Sequence, residues 1–225
     1  MFADYNQFLQ GFGITLFVAL SALILALVLG VIFGLFSVSH LKPLRIAARV
    51  YAEFFQNTPL VIQIFFFYNA LPYVGVNMGV ISIGIIGVGI YHGAYVAEVV
   101  RGGITSISKG QFEAARSQGF SYLQSMFYII LPQAVKIILP PLANQAVNLM
   151  KNTSVLALIA GGDLMYRADS WASNGSLSYG PAYVVTGALY FMLCFPLARW
   201  ARHFEERLKN RDKLVVPEIL VGVEQ

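Results

Sequence analysis

From residue 14 to 38 the chain carries no charged residue, and from 79 to 97 it again carries none. Apolar residues fill these stretches continuously instead of recurring at every third or fourth position. Runs of about 18 or more such residues are long enough to cross the hydrocarbon core of a bilayer as helix. Five spans are expected on this pattern, at 13–38, 51–71, 79–99, 132–160 and 181–199. The most polar interruption is 101–132, an amphipathic insert with apolar segments on both sides.

Composition agrees. The 225 residues are 57% hydrophobic and 12% charged, whereas a soluble domain carries about 25% charged residues. A solvated surface cannot be built from so few charges, so the fold class expected is all-α integral membrane. The N-terminus, MFADYNQFLQ, has Asp4 as its only charge, unlike the positive start of a signal peptide.

The distribution of charge then orients the spans. Lys42, Arg45 and Arg49 follow the first span, and Arg101, Lys109 and Arg116 lie in the central insert. Arg199, Arg202, Arg207, Lys209, Arg211 and Lys213 follow the last span. In a five-span chain all of these fall on one side, and the opposite side holds only Arg167. The positive-inside rule puts the insert and the tail in the cytoplasm and the N-terminus outside. An even number of spans would destroy this separation. The expected organisation is a single transmembrane domain over 1–213, with an elbow at about 105–128 and a C-terminal tail at 214–225.

The insert has its own punctuation. Ser108-x-x-Gln111 and Ser121-x-x-Gln124 are capping-box patterns, each of which starts a helix. Gly119 between them accepts the left-handed conformation that stops one. The spacing predicts a helix over 109–118, a glycine turn, and a second helix from Tyr122 into the next span. Glu113 lies near the start of the first helix, where a carboxylate suits the dipole. Ala114 and Ala115 add no bulk. Two readings stay open on these residues: a helix resting on lipid headgroups, or one that a partner protein closes around.

The fourth span is too long for its task. Residues 132–160 would reach about 43 Å as straight helix, against a core of roughly 30 Å. It contains Pro140-Pro141, which should kink it. Asn144, Asn148, Lys151 and Asn152 then recur at three- and four-residue spacing, placing them on one helix face, and Thr153 and Ser154 follow. Polar residues at membrane depth generally face a cavity or another helix. That face either lines a path, with Lys151 suited to a carboxylate, or holds a structural lysine paired with Glu98, Glu53 or broken-helix carbonyls. Gly30-x-x-x-Gly34 and Gly89-x-x-x-Gly93 suit close helix packing, within the chain or between subunits. The polar segment 161–180, with Asp163, Arg167, Asp169 and Trp171, reads equally as a docking surface or as a solvated loop.

Some chemistry is excluded. There is no G-x-x-x-x-G-K-[ST] run for ATP. His40, His92 and His203 are far apart, Cys194 is the only cysteine, and no metal cluster or internal disulfide is expected. No pair of intramembrane carboxylates suggests an enzyme, and nothing points to a nucleic-acid partner.

Glu113-Ala114-Ala115-x3-Gly119-x9-Ile129-x-Leu131-Pro132 resembles the EAA loop of bacterial binding-protein-dependent ABC importer permeases. Glu53-Phe54-Phe55-x-Asn57-Thr58-Pro59-Leu60, Tyr95-x-Ala97-Glu98-x-x-Arg101-Gly102, Lys109-Gly110-Gln111 and Lys151-Asn152-Thr153-Ser154 are similar to the polar amino-acid branch of that family. The resemblance covers roughly 10–210. Gln56, where the branch commonly has Arg, and Gln118, where an apolar residue is usual, depart from it.

The resemblance implies a non-catalytic permease subunit with the type I importer fold, multi-pass in a bacterial inner membrane. It implies a second permease subunit, the same chain or a related one, and an ATPase subunit dimer that binds ATP and Mg, this chain holding no cofactor. It also implies an extracytoplasmic amino-acid-binding protein. Glu113, Ala114, Ala115 and Gly119 would meet the ATPase, and Asn144, Asn148, Lys151, Asn152, Thr153, Ser154 and Glu98 would serve the substrate path. A gradient-driven secondary transporter or channel subunit fits the spans as an alternative but has no use for the elbow.

Overall fold

The computed structural model describes residues 2–175 and 178–215, with the side chains of 2–5, 204 and 208–215 left out. Residues 216–225 of the expected tail therefore lie outside the described residues. All regular structure among the described residues is helical. The long elements are α1 (Phe2–Ser37), α4 (Val80–Thr105), α7 (Leu131–Asn152) and α9 (Tyr179–Val215). Among the described residues, four helices are long and apolar enough to cross a membrane: Asn6–Ser37, Val80–Thr105, Tyr122–Ile159 and Tyr179–Arg207.

The second span differs from the expected one. Residues 51–71 do not form one helix. α2 (Lys42–Gln56) ends before Pro59, and α3 (Leu60–Phe65) begins after it, running through a π turn and a 3-10 turn to Val74. Pro59 has no N–H, and it disfavours helical backbone at Thr58. Side chains satisfy the carbonyls freed there. Asn57 donates to Glu53 O (2.7 Å), Thr58 to Phe54 O (2.6 Å), and Gln63 to Phe55 O (3.2 Å) and Thr58 O (3.1 Å). What crosses at this point is a shorter apolar helix, Leu60–Val74. α2 is amphipathic instead: Lys42, Arg45, Arg49 and Glu53 occupy one face, and Ile46, Val50 and Phe54 are exposed on the next.

The centre of the molecule is a pair of parallel helices, α1 and α4. Lipid is as apolar as the side chains it surrounds, so association here depends on close van der Waals packing. Both glycine motifs supply it within the chain. A Cβ at Gly30 would strike Val96, and one at Gly34 would strike Val100. Gly89 lies against Leu25, and Gly93 against the Tyr51 hydroxyl and Leu29. Tyr51 stacks on Phe33 with ring centroids 4.1 Å apart and donates to Ile90 O (2.7 Å), which fixes α2 to both helices. Gln56 adds a neutral bond to Ala94 O (3.0 Å).

The fourth span starts early and changes pitch twice. α6 (Tyr122–Ser125) widens into a π turn over Met126–Ile130 before α7 begins at Leu131. The π turn ends just before Pro132, whose ring would clash with the carbonyl four residues back in regular helix. Pro140 and Pro141 lie inside α7 without ending it. The regular helix ends at Thr153, where it tightens to 3-10 over Thr153–Ile159 and stops at left-handed Ala160 (φ 56°).

On the side of the N-terminus, α8 (Leu164–Ser173) is pinned across α1 and α9. Leu164 N donates to the buried Thr15 hydroxyl (3.0 Å), and Phe8 meets Trp171 edge to face at 4.9 Å. Arg167 therefore sits at the opposite end of α1 from Lys42, Arg45 and Arg49, as the charge asymmetry requires.

Candidate coupling elbow and translocation path

The elbow is assembled from local signals. α5 (Lys109–Ser117) follows Ser108, whose hydroxyl accepts from Gly110 N (3.3 Å). Gly119 stands at φ 84° just past it. Phe120 N donates to Ala115 O (3.1 Å) and Gly119 N to Arg116 O (2.9 Å), the two bonds of a Schellman stop. Two residues later Ser121 and Gln124 close a complete capping box, at 3.3 and 2.8 Å. The box expected at Ser108 is only half formed. Gln111 does not return to it, because its Oε1 accepts from Gln133 of α7 (3.3 Å).

α5 thus presents two faces. Ala115 is buried against the chain itself, while Glu113, Ala114 and Arg116 face outward. The Ala-Ala pair does not act as one smooth patch: Ala115 seats the helix and Ala114 leaves its outer face low. Beside α5 a cavity of about 520 Å³ is lined by Val38, His40, Phe112, Tyr122 and Met126 together with Lys109, Glu113 and Arg116 of the elbow. His40 meets Tyr122 edge to face at 4.2 Å, so the end of α1 supports the elbow directly.

The polar residues of α7 divide. Asn144, Asn148 and Lys151 are exposed along one face, as their spacing predicts. The Lys151 ammonium makes no ion pair or hydrogen bond among the described residues, with Glu98, Glu53 or any carbonyl. Asn152 is half-buried and lies 3.0 Å from Nε2 of His92 on α4. Thr153 is fully buried and donates to Met150 O (2.8 Å), and Ser154 donates to Lys151 O (2.9 Å). Glu98 stands apart from this face. Its Oε2 accepts from both Nε (2.9 Å) and Nη2 (2.7 Å) of Arg101, and both residues line a 570 Å³ cavity with Lys42, Arg45, Arg49 and Glu53.

His92 has no role in the sequence reading beyond the absence of a metal cluster. In the fold it is 2% exposed, bonded to Asn152, with Nδ1 unpartnered. The signal available was a histidine inside an apolar run, where a polar side chain must find a partner. No group of His, Cys, Asp and Glu suited to a metal ion occurs among the described residues.

Asp163 anchors the other end. It is fully buried and caps α8 through Oδ2 to Met165 N (3.0 Å), while Oδ1 has no partner. Burial is the main cause that pushes its pKa up to about 6, and the nearby Asp169 adds to the rise.

Comparison with known proteins places this arrangement. The family described as "Binding-protein-dependent transport system inner membrane component" matches residues 26–210. The probable glutamine ABC transporter permease protein GlnM of Bacillus subtilis is 42% identical over 210 residues, 93% of this chain and 97% of the relative. The arginine transport system permease protein ArtQ of the same organism is 33% identical over 205 residues, covering 91% and 93% of the two chains. Among solved structures, the crystal structure of an amino acid ABC transporter with histidines matches with a TM-score of 0.85 at 33% identity, over 92% of this chain and 96% of that one. The MetNI methionine ABC transporter in an inward-facing conformation shares the fold at 16% identity, with a TM-score of 0.64 over 89% and 95% of the chains.

Proposed function

Because this chain belongs to the family of binding-protein-dependent transport system inner membrane components, and is an amino-acid ABC transporter permease subunit, multi-pass in a bacterial inner membrane, we propose that its elbow receives force from an ATPase subunit and that its α7 face lines the route of the amino acid. The observation that carries this reading is the build of the elbow. A short helix exposes Glu113, Ala114 and Arg116, while Ala115 is buried and Phe112 packs with Tyr122 on the cluster of Met126 and Ile130. A helix that merely rested on headgroups would turn its apolar face to lipid. Here the apolar face is spent on the chain itself, which leaves a polar face for a protein partner.

Force applied to α5 has a rigid way inward. The Schellman stop at Gly119 and the capping box at Ser121 join α5 to α6 without slack, and α6 runs on into the fourth span. Met126, Ile130, Ala134 and Ile138 of that span pack on Val96, Val100 and Ile104 of α4. Displacement of the elbow would move α7 and its exposed Asn144, Asn148 and Lys151 together. The partners that fit are an ATPase dimer holding ATP and Mg, a second permease subunit, and an extracytoplasmic binding protein. This chain needs no cofactor of its own. Glutamine is the substrate named for GlnM, and a polar amino acid of that class is the cargo that suits a face of asparagines and one lysine.

The test is co-purification with the ATPase subunit. Glu113→Lys reverses the exposed charge of α5, and Gly119→Val forces a β-branched residue into left-handed backbone. Both variants should remain in the membrane and lose most ATPase binding. Undiminished complex formation and transport in both would remove the elbow from the mechanism.

A further inference from the structure

The cytoplasmic ends of α1 and α4 and the whole of α2 enclose a cavity of about 570 Å³ that neither the elbow nor the α7 face uses. No residue of α7, α8 or α9 lines it. Four cations do, Lys42, Arg45, Arg49 and Arg101, against two carboxylates, Glu53 and Glu98, so the lining holds two positive charges in excess. Part of this charge is spent. Arg101 is held by Glu98. Nη1 of Arg45 donates to Ser39 O and His40 O (both 2.9 Å), where the chain leaves α1. The Lys42 and Arg49 side chains are exposed, and neither makes an ion pair or hydrogen bond among the described residues, with Glu53 or any other group. Two unspent cations facing one cavity suit an anion.

The depth of the cavity says which kind. Phe33 and Ser37 lie in the last two turns of the span Asn6–Ser37, and Glu98 and Arg101 in the last two turns of Val80–Thr105. That is the level at which the polar headgroups of a bilayer meet its hydrocarbon core. α2 runs at the same level and is amphipathic. Ile46, Val50 and Phe54 are 52%, 61% and 59% exposed, a face that acyl chains cover when such a helix lies in the plane of the interface. Ile46 and Phe33 also line the cavity, so apolar side chains adjoin the cations there, as acyl chains adjoin the phosphate within a lipid. A free anion has no use for that apolar part.

We infer that this cavity receives the phosphate of an anionic phospholipid of the cytoplasmic leaflet, held by Lys42 and Arg49, with its acyl chains beside Ile46 and Phe33. Basic pockets between spans on the cytoplasmic side are a recurrent form of headgroup site. The lipid completes the seating of α2. Tyr51 and Gln56 tie the C-terminal half of that helix to Ile90 O and Ala94 O of α4, whereas the cations of its first turns have no counterpart within the chain beyond the bonds of Arg45. The inference needs the cytoplasmic sidedness of α2 and neither the elbow nor the substrate path.

Native mass spectrometry tests it on the full chain, extracted in the assembly it forms, with phosphatidylglycerol or phosphatidylcholine added in equal amounts. The wild type should retain phosphatidylglycerol at least about tenfold better, since choline offsets the phosphate charge of the other lipid. One basic residue beside an anionic headgroup is worth about fivefold in affinity, so Lys42→Gln with Arg49→Gln should lower retention of phosphatidylglycerol about 25-fold. Both positions are exposed, so the fold should persist. Lys42→Arg with Arg49→Lys keeps both charges and should keep the lipid. Lys136→Gln with Arg202→Gln removes the same charge outside the cavity and should change retention little. Equal retention of the two lipids by the wild type, undiminished retention in the double glutamine variant, or an equal loss in either of the other pairs overturns the site. Inorganic phosphate in large excess separates the two sources of phosphate. It should leave the bound phosphatidylglycerol in place, and displacement of the lipid would overturn the assignment in favour of a soluble anion.

Discussion

Asp163 spends one carboxylate oxygen on the cap of α8 and buries the other without a partner. Its pKa, raised by burial from 3.8 to about 6, means that the folded protein holds this proton more tightly than the unfolded chain does. The stability linked to it is therefore full below about pH 3.8 and is lost as pH rises through about 6. The loss amounts to about 3 kcal/mol. Asp163→Asn keeps a capping oxygen and removes the charge. It should raise the apparent melting temperature at pH 7.5 and converge on the wild type near pH 4, as followed by thermal unfolding in detergent. An equal difference at both pH values would show that the carboxylate's charge is not the cause. At this scale the sequence is legible where the partner is close. Gly119 announces its own backbone, since φ 84° suits no side chain well. The His92–Asn152 contact spans 60 residues, and no local spacing reveals it.

The elements repeat that lesson. Ser121-x-x-Gln124 forms its box because both partners lie within one turn, whereas Gln111 is drawn away from Ser108 by Gln133, 22 residues on. Ser121→Ala should therefore cost about 1 kcal/mol and loosen the joint between α5 and α6. Ser108→Ala should cost less, and amide hydrogen exchange over 118–126 would separate the two. Equal protection in both variants would mean that the box does not hold the joint. The second span was misread for a related reason. Residues 51–71 are apolar in bulk, but Pro59 divides them, and the amphipathic α2 shows only when Lys42, Arg45 and Arg49 are counted with Tyr51 and Phe54 as one helix. Pro140-Pro141 does not end α7, and the tightening at Thr153 has no comparable sequence mark. Both glycine motifs, by contrast, were visible as close-packing faces, and only the fold decides that their partners lie within the chain.

At the scale of the whole molecule, the membrane class was readable from the long apolar runs, and the sidedness from charge, because twelve basic positions obey one simple electrostatic rule. The order of packing was not readable: that α1 and α4 run parallel at the centre, with α7 behind and α8 closing the outer end, depends on contacts between distant segments. The arrangement makes one structural path from the cytoplasmic elbow through α6 to the polar face of α7, and the central claim is that ATP hydrolysis in a partner drives amino-acid movement along it. The most direct measurement is uptake of radiolabelled L-glutamine into proteoliposomes holding this chain, its ATPase subunit and its binding protein, with ATP or an ion gradient supplied separately. The account predicts uptake that requires ATP and the ATPase subunit, is indifferent to the gradient, and is lost in Glu113→Lys. Uptake by the chain alone on a gradient, with or without ATP, would contradict it.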